Sequence, residues 1–191
     1  MEVGGGRPEG AEAAAERLVA RGATALISFG LAGGLDPTLP SGTLVIPTHV
    51  IEHGHAYPAD PRLAARFAAR FGSPMPLHAL SANTILATPT AKQAAHAATG
   101  AAIVDLESGA VARVAARHTL PFLVIRAVCD PADRALPPLA LTALDAGGRI
   151  TPARVLASLL RHPGQIPALL ALARDAARAR ATLARLCRSV A

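Results

Sequence analysis

Two acidic segments sit at the ends of short apolar runs. The first is Asp105-Leu106-Glu107-Ser108, after Ala102–Val104. The second is Arg126-Ala127-Val128-Cys129-Asp130, within the run that begins at Phe122. A carboxylate at a strand end can accept two vicinal hydroxyls, as on a ribose. An acid at a helix start is equally favoured by the helix dipole, so both readings of Asp105 and Glu107 stay open. Asp130 follows a run apolar enough to be buried on both faces. Partial desolvation there would favour a carboxyl that holds or shares a proton. The competing reading is a capping Asp paired with Arg126 or Arg134. Cys129 could serve as a nucleophile, but no helix start or nearby His supports that, and a buried bystander outweighs it.

Three further groups are weaker. Ser28-Phe29-Gly30-Leu31-Ala32-Gly33-Gly34 has glycines that allow close backbone approach to a ligand. It reads as a flexible turn over Gly30–Gly34. It does not fit the dinucleotide fingerprint, and no Walker motif occurs. His49, His53 and His55 are closely spaced. They lack a further carboxylate or cysteine to complete a metal set, so surface or subunit-contact histidines are the stronger reading. Cys129 and Cys187 stand alone, which argues against a disulfide framework and fits a reducing, cytoplasmic setting.

The elements that must position these groups alternate between helix and strand, which makes the class α/β. The spacing predicts helices over Pro8–Ala20, Arg62–Phe71, Pro89–Thr99, Ser108–His118, from Thr151 to about Arg161, and Gln165–Arg188. Ala135–Gly148 reads as helical in part. Strands are predicted at Thr24–Phe29, Leu44–Ile51, Pro76–Leu80, Thr84–Ala87, Ala102–Asp105 and Phe122–Val128, with His53–Pro58 a polar loop. The last two strands flank one helix and so read as parallel neighbours with a right-handed crossover. Ligands bind beyond the carboxyl ends of strands in open α/β sheets, which gathers the acids and Arg126 near one site.

The 191 residues suit a single domain, 1–191. No apolar run reaches the ~20 residues of a membrane span. The net charge is +6, carried almost wholly by Arg, with Lys92 the sole lysine. An Ala/Arg-rich composition explains this better than an acidic partner does. With aromatics at 3%, a base-stacking nucleic-acid surface is not expected.

Together these stretches resemble the purine nucleoside phosphorylase and nucleosidase superfamily. The matching pieces are SFGLAGGLDPTLPSGTLVIP and VDLESGAVARVAARHTLPFLVIRAVCDPAD, in the family's order and separation. The tail, with LPPLALTALDAGGRITPARVLASLL and RHPGQIPALLALARDAARAR, is similar to the hopanoid-associated phosphorylases. The resemblance implies a three-layer α/β/α sandwich with a mixed central sheet. It implies cleavage of a purine N-glycosidic bond through an oxocarbenium-like state, with phosphate as co-substrate and no cofactor or metal. The implied substrate is an adenosine derivative, adenosylhopane, and the alternative is hydrolysis of methylthioadenosine or adenosylhomocysteine.

By the same resemblance, Asp130 serves the purine N7 region and Glu107 the ribose hydroxyls. Leu106 lies against the sugar and Arg126 below it. The backbone of Ala32 and Gly33 lines base and sugar, and Thr88 flanks the base. Leu31 stands where many relatives carry Ser, Cys129 replaces a Ser, and Thr43 replaces an Asp. The family begins with a strand and loop ahead of the region matching Val3–Gly6. The expected fold therefore lacks the family's first strand. That segment holds a catalytic glutamate in nucleosidases and phosphate contacts in several phosphorylases. An inactive purine-binding module is the remaining alternative. A homo-oligomer with contacts through His53–Tyr57 is implied. The basic C-terminal helix either touches an anionic membrane or, more simply, packs on the sheet.

Overall fold

The computed structural model describes residues 1–71, 77–138, 164 and 166–190. Among these residues seven strands form one mixed sheet in the order β2-β7-β1-β6-β5-β3-β4. They are β1 (Leu26–Gly34), β2 (Leu44–Val45), β3 (His49–Glu52), β4 (His55–Pro58), β5 (His78–Ser81), β6 (Ile103–Asp105) and β7 (Phe122–Asp130). The helices are α1 (Pro8–Ala20), α2 (Pro61–Phe71), α3 (Pro89–Thr99), α4 (Ser108–Arg117) and α5 (Ile166–Val190).

Strand β7 is the spine of the molecule. Its alternation splits two cores. Phe122, Val124 and Val128 join Ala15 of α1 and Val114 and Ala115 of α4. Leu123 and Ile125 join Leu186 of α5, with Leu63 and Phe67 of α2 packed against them. The two faces are thus each covered by helices, which gives the expected three layers. From Phe122 to Val128 both faces of β7 are buried and, apart from Arg126, apolar.

Several local expectations need correction. Residues Gly30–Gly34 are not a turn: β1 runs through them to Gly34. Strand β7 supplies a parallel partner from Leu26↔Phe122 to Gly33↔Asp130, and ladder bonds override the weak strand preference of glycine. The predicted strand Leu44–Ile51 is two short strands. Pro47 lies between them, and it has no N–H to give a ladder. His53–Pro58 is not wholly loop: β4 pairs antiparallel with β3, and the chain reverses at His53, whose φ is 49°. Thr84–Ala87 forms no strand.

Strands β6 and β7 are not parallel neighbours. β1 lies between them, parallel to β7 and antiparallel to β6. The chain carries no local signal for strand order, which is set by non-local pairing. β6 meets β1 only at Gly33 and Gly34. Ile27 and Phe29, earlier on β1, are 43% and 40% exposed. The expected helix from Thr151 to Arg161, most of Ala135–Gly148 and the start of the Pro76–Leu80 strand lie outside the described residues.

Helix α3 begins as its sequence predicts. Pro89 follows Thr88, whose Oγ1 accepts the Ala91 N–H at 3.2 Å. Helix α5 packs on β7 through Ala179 and Leu183. Its buried Asp175 accepts the Ser41 hydroxyl at 2.8 Å and pairs with Arg134 at 3.0 Å and Arg178 at 3.1 Å. So the simpler reading of the last helix, packing on the sheet, is the observed one. None of the described helices is long and apolar enough to cross a membrane.

Candidate active site

A cleft of about 500 Å³ opens where β1, β6 and β7 converge. Leu31, Ala32 and Gly33 of β1 line it, with Leu106 and Glu107 after β6 and Cys129 and Asp130 at the end of β7. Although β6 and β7 run in opposite directions, β6 pairs only with the end of β1. Its carboxyl end therefore still reaches the same place as that of β7.

Of the sequence-derived candidates, two lie elsewhere. Arg126 is 1% exposed and sits behind the cleft wall. Thr88 is occupied as the cap of α3. Thr84 and Ile85 line the cleft instead, with Leu136 and, from α5, Leu172. No sequence signal marked Leu172, because its approach depends on how α5 docks. Asp133 lies in a separate cavity with Gln93 and His96.

Asp105, which also lines the cleft, forms a buried pair at 2.7 Å with Arg126 behind it. Asp105 also accepts the backbone N–H groups of Glu107 (2.9 Å) and Ser108 (2.8 Å) and the Ser108 hydroxyl. Burial alone would raise the Asp105 carboxyl. The Arg126 charge and the Ser108 hydrogen bonds overcome this and hold it below the ordinary carboxylate range. Arg126 Nη2 donates to Ser28 Oγ at 2.7 Å, while Nη1 is buried without a hydrogen-bond partner. Asp105 is thus the structural acid of the pair, and it fixes the backbone that aims Glu107.

Glu107 Oε1 accepts the Gly6 N–H at 2.9 Å. The N-terminal loop lies so close that a Cβ on Gly4 would come within 2.4 Å of this oxygen. A side chain there would push the carboxylate from its place, which is what the glycine prevents. Glu107 keeps acceptor capacity facing the cleft.

Asp130 is 7% exposed. Its partner is neither Arg126 nor Arg134, as one reading of the sequence held. Lys92 Nζ lies 2.8 Å from Oδ2, and Lys92 is wholly buried. Oδ1 accepts the Cys129 thiol at 3.0 Å. Burial, followed by the adjacent Asp130 charge, pushes the Cys129 thiol far above its ordinary value. It is a neutral donor and no nucleophile at neutral pH. Gly33 backs the same carboxylate: an added Cβ would stand 3.1 Å from Oδ2 and 3.2 Å from Val104 Cγ1.

The histidines do not converge. His49 stacks on His78 with centroids 3.7 Å apart, and His53 Nε2 meets Asn83 Nδ2 at 3.0 Å. Among the described residues no group of three His, Cys, Asp or Glu side chains could hold a metal ion.

A mixed sheet between helix layers, with Asp105, Glu107 and Asp130 lining one cleft at the strand ends, defines a three-layer α/β fold with its candidate site at those ends. The chain belongs to the phosphorylase superfamily, whose family pattern matches residues 3–159. The 5'-methylthioadenosine/S-adenosylhomocysteine nucleosidases of Mycobacterium bovis and Mycobacterium tuberculosis are each 28% identical over 57% of this chain. The match covers 60% of their own length. A Helicobacter pylori 5'-methylthioadenosine/S-adenosylhomocysteine nucleosidase has a similar structure, with TM-score 0.68, 16% identity, and coverage of 96% of this chain and 75% of that one. The futalosine hydrolase of Helicobacter pylori has TM-score 0.64 at 16% identity, covering 96% and 76%. The two structural likenesses establish the fold.

Proposed function

We propose that this chain cleaves the N-glycosidic bond of an adenosine derivative. The observation that carries the reading is the convergence of Glu107 and Asp130 on one cleft. Its volume suits a nucleoside. In this reading Glu107 accepts the ribose hydroxyls and keeps the sugar in register. Asp130 hydrogen-bonds the purine N7 region, where negative charge grows as the base departs. The Ala32–Gly33 backbone and Leu106 lie against base and sugar.

Leu31, Ile85, Leu136 and Leu172 give the cleft an apolar wall. That wall supports a substrate with an apolar 5' substituent, in line with the adenosylhopane to which the sequence resemblance points. The acceptor in that first reading is phosphate. Hydrolysis is the second reading, and the nucleosidase names of the curated relatives favour it.

Adenine release from adenosylhopane and from methylthioadenosine, measured with and without phosphate, tests both. Release that requires phosphate supports phosphorolysis, and phosphate-independent release supports hydrolysis. Asp130→Asn should lower turnover by roughly 10²–10⁴-fold in either case. Adenine binding without turnover would favour a binding module instead.

A further inference from the structure

Lys92 is the only lysine in a chain that otherwise uses arginine for every permanent cation. It lies on the first turn of α3, yet it is 0% exposed. Its Nζ faces four oxygens. They are Asp130 Oδ2 at 2.8 Å and the main-chain carbonyls of Asp130 (3.2 Å), Pro131 (2.8 Å) and Arg134 (3.1 Å). An ammonium can distribute three N–H bonds over such a cage because its donors point tetrahedrally from one atom. A guanidinium is flat and fork-shaped, and cannot point at all four from one place.

We infer that Lys92 is a positioning residue for the proposed reaction, acting through Asp130. This rests on the reading of Asp130 given above. The ammonium performs two tasks at once. It clamps the turn that follows β7, so that the chain from Asp130 to Arg134 cannot shift against α3. It also binds one carboxylate oxygen and thereby sets the rotation of the Asp130 carboxyl group in the cleft. The remaining contacts of that carboxyl group, the Cys129 thiol and the close approach of Gly33, are weak or steric and do not hold it against rotation. A displacement of about 1 Å at such a group costs on the order of 10²-fold in rate.

The test is a double-mutant cycle on adenine release, with thermal unfolding followed alongside. Lys92→Gln keeps two N–H donors for the carbonyls and removes the charge, while Lys92→Met removes both. We expect kcat to fall about 10²-fold in Lys92→Gln, with KM changed less than threefold and the fold retained. In the Asp130→Asn background the same substitution should lower kcat less than threefold further, because the group it serves is gone. Lys92→Arg should not restore activity. The inference is overturned if folded Lys92→Gln turns over at the wild-type rate, or if the two losses multiply. It is also overturned if neither Lys92→Gln nor Lys92→Met folds, since Lys92 would then be a structural strap alone. A wild-type chain that releases no adenine from any adenosine derivative refutes the reaction itself. An active wild type with unaffected Lys92 variants refutes only the role of Lys92.

Discussion

Replacing Asp105 by Asn should destabilise this protein more than any exposed charge removal. The pair with Arg126 is sealed, with side-chain exposures of 5% and 1%, so solvent screening gives no discount. Asn can still accept the Glu107 and Ser108 N–H groups through its oxygen. Its amide nitrogen then stands where Oδ2 met Arg126 Nε–H, and two donors face each other. Arg126 already has one buried unpartnered nitrogen, so it has no alternative acceptor at hand. Breaking a buried pair on one side costs about 3–5 kcal/mol. With a urea m-value of roughly 2 kcal/mol/M, the midpoint should fall by about 1.5–2.5 M. The melting temperature should fall by roughly 6–20 °C.

The pH dependence of this loss has a definite sign. The folded carboxyl is held below its unfolded value of about 3.9. Its contribution is therefore present above that value and lost as pH falls through the lower folded one. The gap between wild type and Asp105→Asn should be constant near neutrality and shrink only below about pH 4. Urea midpoints measured from pH 7 downward check both statements. A loss under about 1 kcal/mol at pH 7, or a gap that closes already at pH 6, would refute the account of a buried, charge-held pair.

Two other outcomes follow from the same geometry. Gly33→Ala should fold but lose adenine-releasing activity by at least ~10-fold, because its methyl stands against Asp130 Oδ2 and Val104; unchanged kcat/KM would show that the carboxylate tolerates displacement. Iodoacetamide at pH 8 should label the exposed Cys187 and spare the half-buried Cys129, whose thiol is held neutral, and peptide mass spectrometry showing equal labelling would contradict a thiol held neutral beside Asp130.

Much of the scaffold is legible in the chain because its causes are local. Pro8 and Pro89 open helices where the missing N–H costs nothing. The apolar run from Phe122 could only be a strand covered on both faces. The acids after β6 and β7 could be located from strand ends alone. What sequence could not distinguish was the role of each acid. Asp105 and Glu107 are two residues apart and alike in chemistry. Only the arrival of Arg126 from β7 commits Asp105 to the interior, and only the Gly4–Gly6 loop fixes Glu107 at the cleft. The resemblance implies that Thr88 flanks the base, but its hydroxyl closes the first turn of α3, and Thr84 and Ile85 reach the cleft in its stead.

The sequence by itself determined the α/β alternation and put acids at two strand ends, which follows from periodicity and from the kinds of residue that end a strand. The choice of Glu107 and Asp130 among those acids comes from the family resemblance and not from periodicity. The tertiary structure alone decided that β1 separates β6 from β7, that Gly30–Gly34 is strand, and that Lys92 is the partner of Asp130. Each of these depends on contacts between residues far apart in the chain. The energy of such contacts comes from backbone pairing and from closing buried charge, and neither leaves a mark on local composition.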